Sequence, residues 1–267
     1  MIATTPRIVS PLPTGLLDGQ RLPPQILGAA ASPAPKEYVA GTGREPIVLG
    51  DPGSCPVCGS QTWVLIDSSP SVEGSDGNDP LSRRYDETAL AIRHVAAACR
   101  CGRDRIALEP FDTGSPGHVA PQPLTTRGVR RLDRGLRRLA ATCGMSSQLG
   151  PALDRVEMQT AKRDAQTGIV VFSDFLLTDH NPTNVMSRLR AFPGHVHAVV
   201  LGAQPPSVLV TDPNVTVTRL TPTSPPGAAA RAVLEGLTRF RTTTDTDPGS
   251  AAHRSHETPD SEGELIA

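Results

Sequence analysis

A three-layer α/β/α domain on a mostly parallel sheet is the architecture this 267-residue chain predicts. Three observations carry that expectation. Short apolar runs (Trp63 to Ile66, Ile169 to Phe172, Val196 to Leu201) alternate along the chain with helical stretches. Their lack of polar alternation is the pattern of strands covered on both faces. Two of the runs end in a carboxylate, Asp67 and Asp174, so both acids fall on the rim where open parallel sheets bind ligands.

The domain is expected over residues 51–241. Residues 1–50 are rich in Pro, Ala and Gly with little periodicity, and read as a flexible arm. Residues 242–267, mostly Thr, Asp, Ser, Glu and Pro, read as a disordered acidic tail. The net charge is −1, so no bulk electrostatic argument favours nucleic acid or a membrane surface. The opening MIATTPRIVSPLPTGLL lacks the charged head and apolar stretch of a signal peptide, and no run is long enough to span a bilayer. A cytoplasmic protein is therefore expected. Its five cysteines then read as metal ligands or free thiols rather than disulfides.

The elements follow in order. Cys55-Pro-Val-Cys58-Gly59 precedes the first strand and has the form of a zinc knuckle, a tight turn that aims two thiolates the same way. The strand through Trp63 to Ile66 ends in Asp67-Ser68-Ser69-Pro70-Ser71. A carboxylate with hydroxyls two and four residues later is a nest of hard oxygen donors, suited to Mg²⁺, Mn²⁺ or Ca²⁺ rather than zinc. Asp86 to Ala98 has helical propensity, with Leu90, Ile92 and Val95 as apolar anchors. As a crossover helix it runs back to the end of the sheet where the first strand begins. That path brings Cys99 and Cys101 beside Cys55 and Cys58, four thiols suited to a structural Zn²⁺, with inert free thiols as the alternative.

Arg105 to Phe111 reads as a strand, and His118 to Leu124 as an antiparallel edge strand where prolines are tolerable. Arg127 to Ala141 is amphipathic, with Val129, Leu132, Leu136 and Leu139 on one face and Arg130, Arg131, Arg134, Arg137 and Arg138 on the other. The arginines read as a solvated face, with a contact for an acidic partner or nucleic acid as the alternative. Ser146 or Ser147 is the expected N-cap of a helix whose core face is Leu149, Leu153 and Val156. Gly168 to Asp174 is the second central strand. Asn181 to Phe192 follows as a helix, Val196 to Leu201 and Val215 to Leu220 as strands, and Ala228 to Phe240 as the last helix.

With these residues placed, the chain resembles a von Willebrand factor A domain, the fold of integrin I domains. Members carry a metal-ion-dependent adhesion site made of Asp-x-Ser-x-Ser after the first strand, a Thr before a later helix and an Asp ending the fourth strand. By this resemblance Asp67, Ser69 and Ser71 match the first part, Ser147 (or its neighbour Ser146) takes the Thr position, and Asp174 takes the last. Three departures stand out: Ser replaces Thr, Pro70 lies inside the motif, and Phe175 follows Asp174 where many members have Gly. Each leaves the oxygen donors in place. The resemblance implies a non-enzymatic protein-interaction module of bacterial type, in which a partner's Asp or Glu completes the coordination of Mg²⁺ or a similar cation.

The rival readings are a metal-dependent hydrolase and a zinc-stapled scaffold with a degenerate adhesion site. Against the hydrolase, the motif lacks the second carboxylate of metal-dependent phosphatases, and the chain has no Gly-rich phosphate loop. His195 and His197 lie at a strand start, remote from the motif, and read as surface or packing residues.

Overall fold

The computed structural model describes residues 46–73, 83–160 and 165–241. Most of the expected N-terminal arm, and the whole acidic tail, lie outside the described residues. Among the described residues, six strands form one sheet in the order β3-β2-β1-β4-β5-β6. They are β1 (Ser60–Ile66), β2 (Arg105–Pro110), β3 (Val119–Pro123), β4 (Gln166–Ser173), β5 (His195–Leu201) and β6 (Val215–Leu220). All neighbours pair in parallel except β2 and β3, which are antiparallel. The mostly parallel sheet with one antiparallel edge is thus as the sequence leads one to expect.

β1 is apolar on both faces because both faces are covered. Val64 and Ile66 join one core with α2 (Arg84–Ala98), α3 (Thr126–Leu139) and α7 (Ala228–Thr238). Trp63 and Leu65 join a second core on the opposite face with α4 (Gly150–Thr160), α5 (Pro182–Arg190) and the short α6 (Ser207–Val210). Leu49, ahead of the first strand, is also buried in the first core.

In α3, Leu132, Leu136 and Leu139 are buried while Arg130, Arg131, Arg134, Arg137 and Arg138 face solvent. Each such leucine stabilises the packed helix by about 1.5–3 kcal/mol, enough to outweigh the repulsion of a basic outer face. Thr125 caps this helix by accepting from the Gly128 N–H. The cap of α4 departs from expectation. Neither Ser146 nor Ser147 turns onto the helix; Asp179, from the loop after β4, accepts from the Leu149 and Gly150 amides instead. Both serine hydroxyls have other partners, Asp112 for Ser146 and Asp67 for Ser147.

A four-residue helix, α1 (Pro70–Glu73), opens inside the Asp67–Ser71 turn. Pro70 stands at its first position, where the missing N–H costs nothing and the fixed φ suits the helix. The proline within the motif is therefore a helix starter. The chain leaves β1 for β2 on one side and later returns to β4 on its other side, so the C-terminal ends of β1 and β4 flank the point where strand order reverses. That is where such sheets hold ligands.

Candidate functional site

Asp67 follows the last residue of β1 and is fully buried. Its backbone N–H donates to the Phe172 carbonyl of β4 at 2.9 Å, which extends the sheet pairing one step past the strand. A buried carboxylate needs partners for both oxygens. Oδ1 accepts from the Ser69 N–H at 3.0 Å, and Oδ2 accepts from the hydroxyls of Ser147 at 2.6 Å and Ser173 at 2.7 Å. The Oγ atoms of Ser69 and Ser71 lie 3.0 Å apart. The turn after β1, the loop before α4 and the end of β4 thus meet at one carboxylate.

Each contributor is held from outside the cluster. Asp112, just past β2, accepts from the Met145 and Ser146 amides and from the Ser146 hydroxyl. The adjacent serines therefore part: Ser146 is tied to Asp112, and Ser147 faces Asp67. Gly144 donates to the Ser68 carbonyl at 2.7 Å. A Cβ there would stand 2.3 Å from Asp112 Oδ2 and 2.6 Å from Ser68 Oγ, so only glycine allows this approach. Thr178 clasps Ser147 from the β4 side, its Oγ1 accepting from the Ser147 N–H and its own N–H donating to the Ser147 carbonyl.

Asp174 is 1% exposed, and its Oδ1 accepts from the Leu176 N–H. The next residue, Phe175, has φ +59°, a left-handed conformation that glycine adopts without strain. Its N–H donates to Ser173 Oγ at 2.8 Å, and that hydroxyl donates on to Asp67. The bulky side chain packs against the second core.

Two supporting residues carry no signal in the sequence. Ser173 is simply the tail of an apolar strand. Arg84 stands at a helix start, where charged residues are usually solvated. It is instead buried, with its Nη2 donating to the Asp67 carbonyl at 3.1 Å and to Glu73 Oε1 at 2.6 Å. Glu73 also accepts from the Tyr85 hydroxyl. Burial, despite the adjacent Arg84 charge, together with the Glu73 contact holds the Tyr85 phenol far above its ordinary range.

The donor set is all oxygen, which fits a hard divalent cation. Because Ser147 gives its proton to Asp67, its oxygen lone pairs are left as acceptors for a positive charge, whereas Ser173 Oγ already accepts the Phe175 N–H. Ser69, Ser71 and Ser147 bring hydroxyls beside the Asp67 carboxylate, while the Asp174 carboxylate follows β4 with its Oδ1 on the Leu176 N–H.

The thiol cluster forms at the opposite end of β1, where the crossover path of α2 delivers it. Cys55 Sγ is 3.6 Å from Cys99 Sγ, which is 3.8 Å from Cys101 Sγ. Ligand atoms of Cys55, Cys99, Cys101 and Asp104 all lie within 4.8 Å of one another. Cys58 is not in this group; its side chain is exposed, and Asp104, unforeseen in the sequence, stands in the fourth place. Burial pushes the Cys99 thiol up to about 11. Burial also raises Cys101, but the Arg103 N–H and Cys55 outweigh it and leave that thiol below its ordinary value.

No protein-family model and no curated protein matches this chain. Among solved structures it is similar to manganese-loaded Plasmodium vivax TRAP protein, at 10% identity over 69% of this chain and 75% of that one, with a TM-score of 0.46. It is similar also to proximal thread matrix protein 1 from the mussel byssus (15% identity, 71% and 49% covered, TM-score 0.49). A third is a von Willebrand factor type A protein from Catenulispora acidiphila (13% identity, 68% and 42% covered, TM-score 0.48). The match spans less than half of the latter two chains. The likeness is one of fold and carries no residue role across.

Proposed function

We propose that this chain is a non-enzymatic protein-interaction module that binds a partner's carboxylate through a divalent cation held at the Asp67 rim. The observation that supports it most is the meeting of Asp67, Ser69, Ser71 and Ser147 from two separate loops, with Asp174 closing β4 at the same switch point. Asp67 spends one oxygen on the Ser147 and Ser173 hydroxyls and the other on the Ser69 N–H. A cation there, held chiefly by neutral oxygens, keeps much of its charge and attracts an anionic side chain. Two large apolar residues flank the rim: Met145, 89% exposed on the loop that carries Ser147, and Leu176, 58% exposed on the loop after Asp174. Exposed apolar side chains beside a polar, charge-seeking centre suit a protein surface better than a small substrate.

Calorimetric titration of Mg²⁺ and Mn²⁺ into the protein and into Asp67→Ala tests the reading. The expected result is saturable binding that weakens about 100-fold or more in the variant, with Ser147→Ala losing about tenfold. Equal affinity in wild type and Asp67→Ala removes the site. If the metal binds but an immobilised Glu-bearing peptide library shows no cation-dependent retention, the cation site survives and the carboxylate-bridging role does not.

A further inference from the structure

The thiol cluster lies outside the proposed interaction site, about 20 Å away along β1, and its geometry points to a second metal of different character. We propose that Cys55, Cys58, Cys99 and Cys101 bind one Zn²⁺, with Cys58 turning inward as the fourth ligand and Asp104 remaining outside the coordination shell.

The spacing supports the first three. Tetrahedral Zn–S bonds of about 2.3 Å place neighbouring sulfurs about 3.8 Å apart, whereas a disulfide holds them at about 2.05 Å. The separations of 3.6 and 3.8 Å match the metal shell and exclude the covalent bond. Cys55 comes from the loop before β1, and Cys99 and Cys101 from the segment between α2 and β2, so thiols of two separate segments meet at ligand separation.

Asp104 is committed elsewhere. Its Oδ1 accepts from the Ser60 N–H at 3.0 Å, and its Oδ2 accepts from the Arg241 guanidinium at 2.5 Å. Arg241 in turn donates to the Pro52 and Gly53 carbonyls. Taking Asp104 as a ligand would strip a buried arginine of its carboxylate, which is costly. Cys58 carries no such obligation. It is exposed, and it sits three residues from Cys55 in a turn closed by the Gly59 N–H to Pro56 carbonyl bond, with Gly59 at φ +74°. Rotating its side chain disturbs no buried contact. Asp104 then serves as a carboxylate beside the thiolates, linking Arg241 to the metal end of the sheet.

Thiol counting on the intact chain tests this without relying on a variant that folds. Of the five cysteines, Cys143 lies outside the cluster and is exposed, and so serves as the internal control. In zinc-loaded native protein one thiol is expected to react rapidly with a disulfide reagent, and five after chelation. Two fast thiols in the loaded protein leave Cys58 free and overturn the assigned shell. Elemental analysis is expected to give about one zinc per chain; less than a tenth of that after incubation with Zn²⁺ overturns the site altogether. Cobalt replacement then separates the fourth ligands. Cys58→Ser is expected to lower the thiolate-to-cobalt absorption by about a quarter while Asp104→Asn changes neither it nor the cobalt d–d bands; an unchanged thiolate band in Cys58→Ser, with d–d bands shifted in Asp104→Asn, assigns the position to Asp104 and refutes the proposal.

Discussion

At the scale of single residues, the rim works because Asp67 has more donors aimed at it than a surface carboxylate collects. Ser173 is the least conspicuous of them, since its hydroxyl also receives the Phe175 N–H and so ties the strained turn after β4 to the hub. Ser173→Ala removes a hydrogen bond to a buried charge and is expected to cost roughly 1.5–3 kcal/mol in urea unfolding. A loss under about 0.5 kcal/mol means that Asp67 does not depend on it. Gly144→Ala acts at a distance: the added methyl meets Asp112 and Ser68 and forces the Cys143–Leu149 loop outward. Cation affinity in that variant is expected to fall about tenfold with Ser147 itself intact. Unchanged calorimetric affinity contradicts the claim that this contact places the serine.

At the scale of elements, α2 joins the two ends of the molecule. Its first residue, Arg84, braces the Asp67–Ser71 turn, and the residue after its last turn, Cys99, enters the thiol cluster. Arg84→Met keeps the packing volume but takes a charge from Glu73, and is expected to cost about 3 kcal/mol. Recovery of at least half of that in the double variant with Glu73→Gln checks the pairing by denaturation; a full additive loss argues for packing instead. The strands and the convergence of Cys55 with Cys99 and Cys101 are legible in the sequence, because apolar runs and a crossover path are properties of short segments. Asp67, Ser69 and Ser71 are legible as a motif within five residues. Arg84, Asp104, Asp112 and Asp179 are not, since each finds its main partners at a distance the local pattern does not encode, and a polar residue at an element end looks solvated until the packing is known. Which of Ser146 and Ser147 faces Asp67 is open in the sequence for the same reason: Asp112, over 30 residues away, engages Ser146 and leaves Ser147 to Asp67.

At the scale of the whole molecule, the second half of the sheet carries a pH dependence unrelated to the rim. His197 is fully buried on β5, with Nδ1 2.6 Å from Thr216 Oγ1, and burial, aided by neighbouring His195, pushes its imidazole down to about 4. His195 is shifted in the same direction, first by burial and then by Arg239. The unfolded chain protonates such a group near pH 6.5 while the fold resists until about pH 4. Stability is therefore full above pH 6.5 and falls as the pH drops toward 4, by roughly 3 kcal/mol for His197. Denaturation at pH 7 and pH 4.5 is expected to show this slope in wild type and a much shallower one in His197→Leu; equal slopes contradict it. The two borders of the sheet also differ in kind. β3 holds Pro121 and Pro123 among its five residues and meets β2 through an irregular register, so it offers a broken row of amides. β6, Val-Thr-Val-Thr-Arg-Leu, has an N–H at every position and a regular parallel register with β5. Of the two border strands, β6 thus has the unbroken row of amides that strand addition needs, and the prolines of β3 interrupt the other.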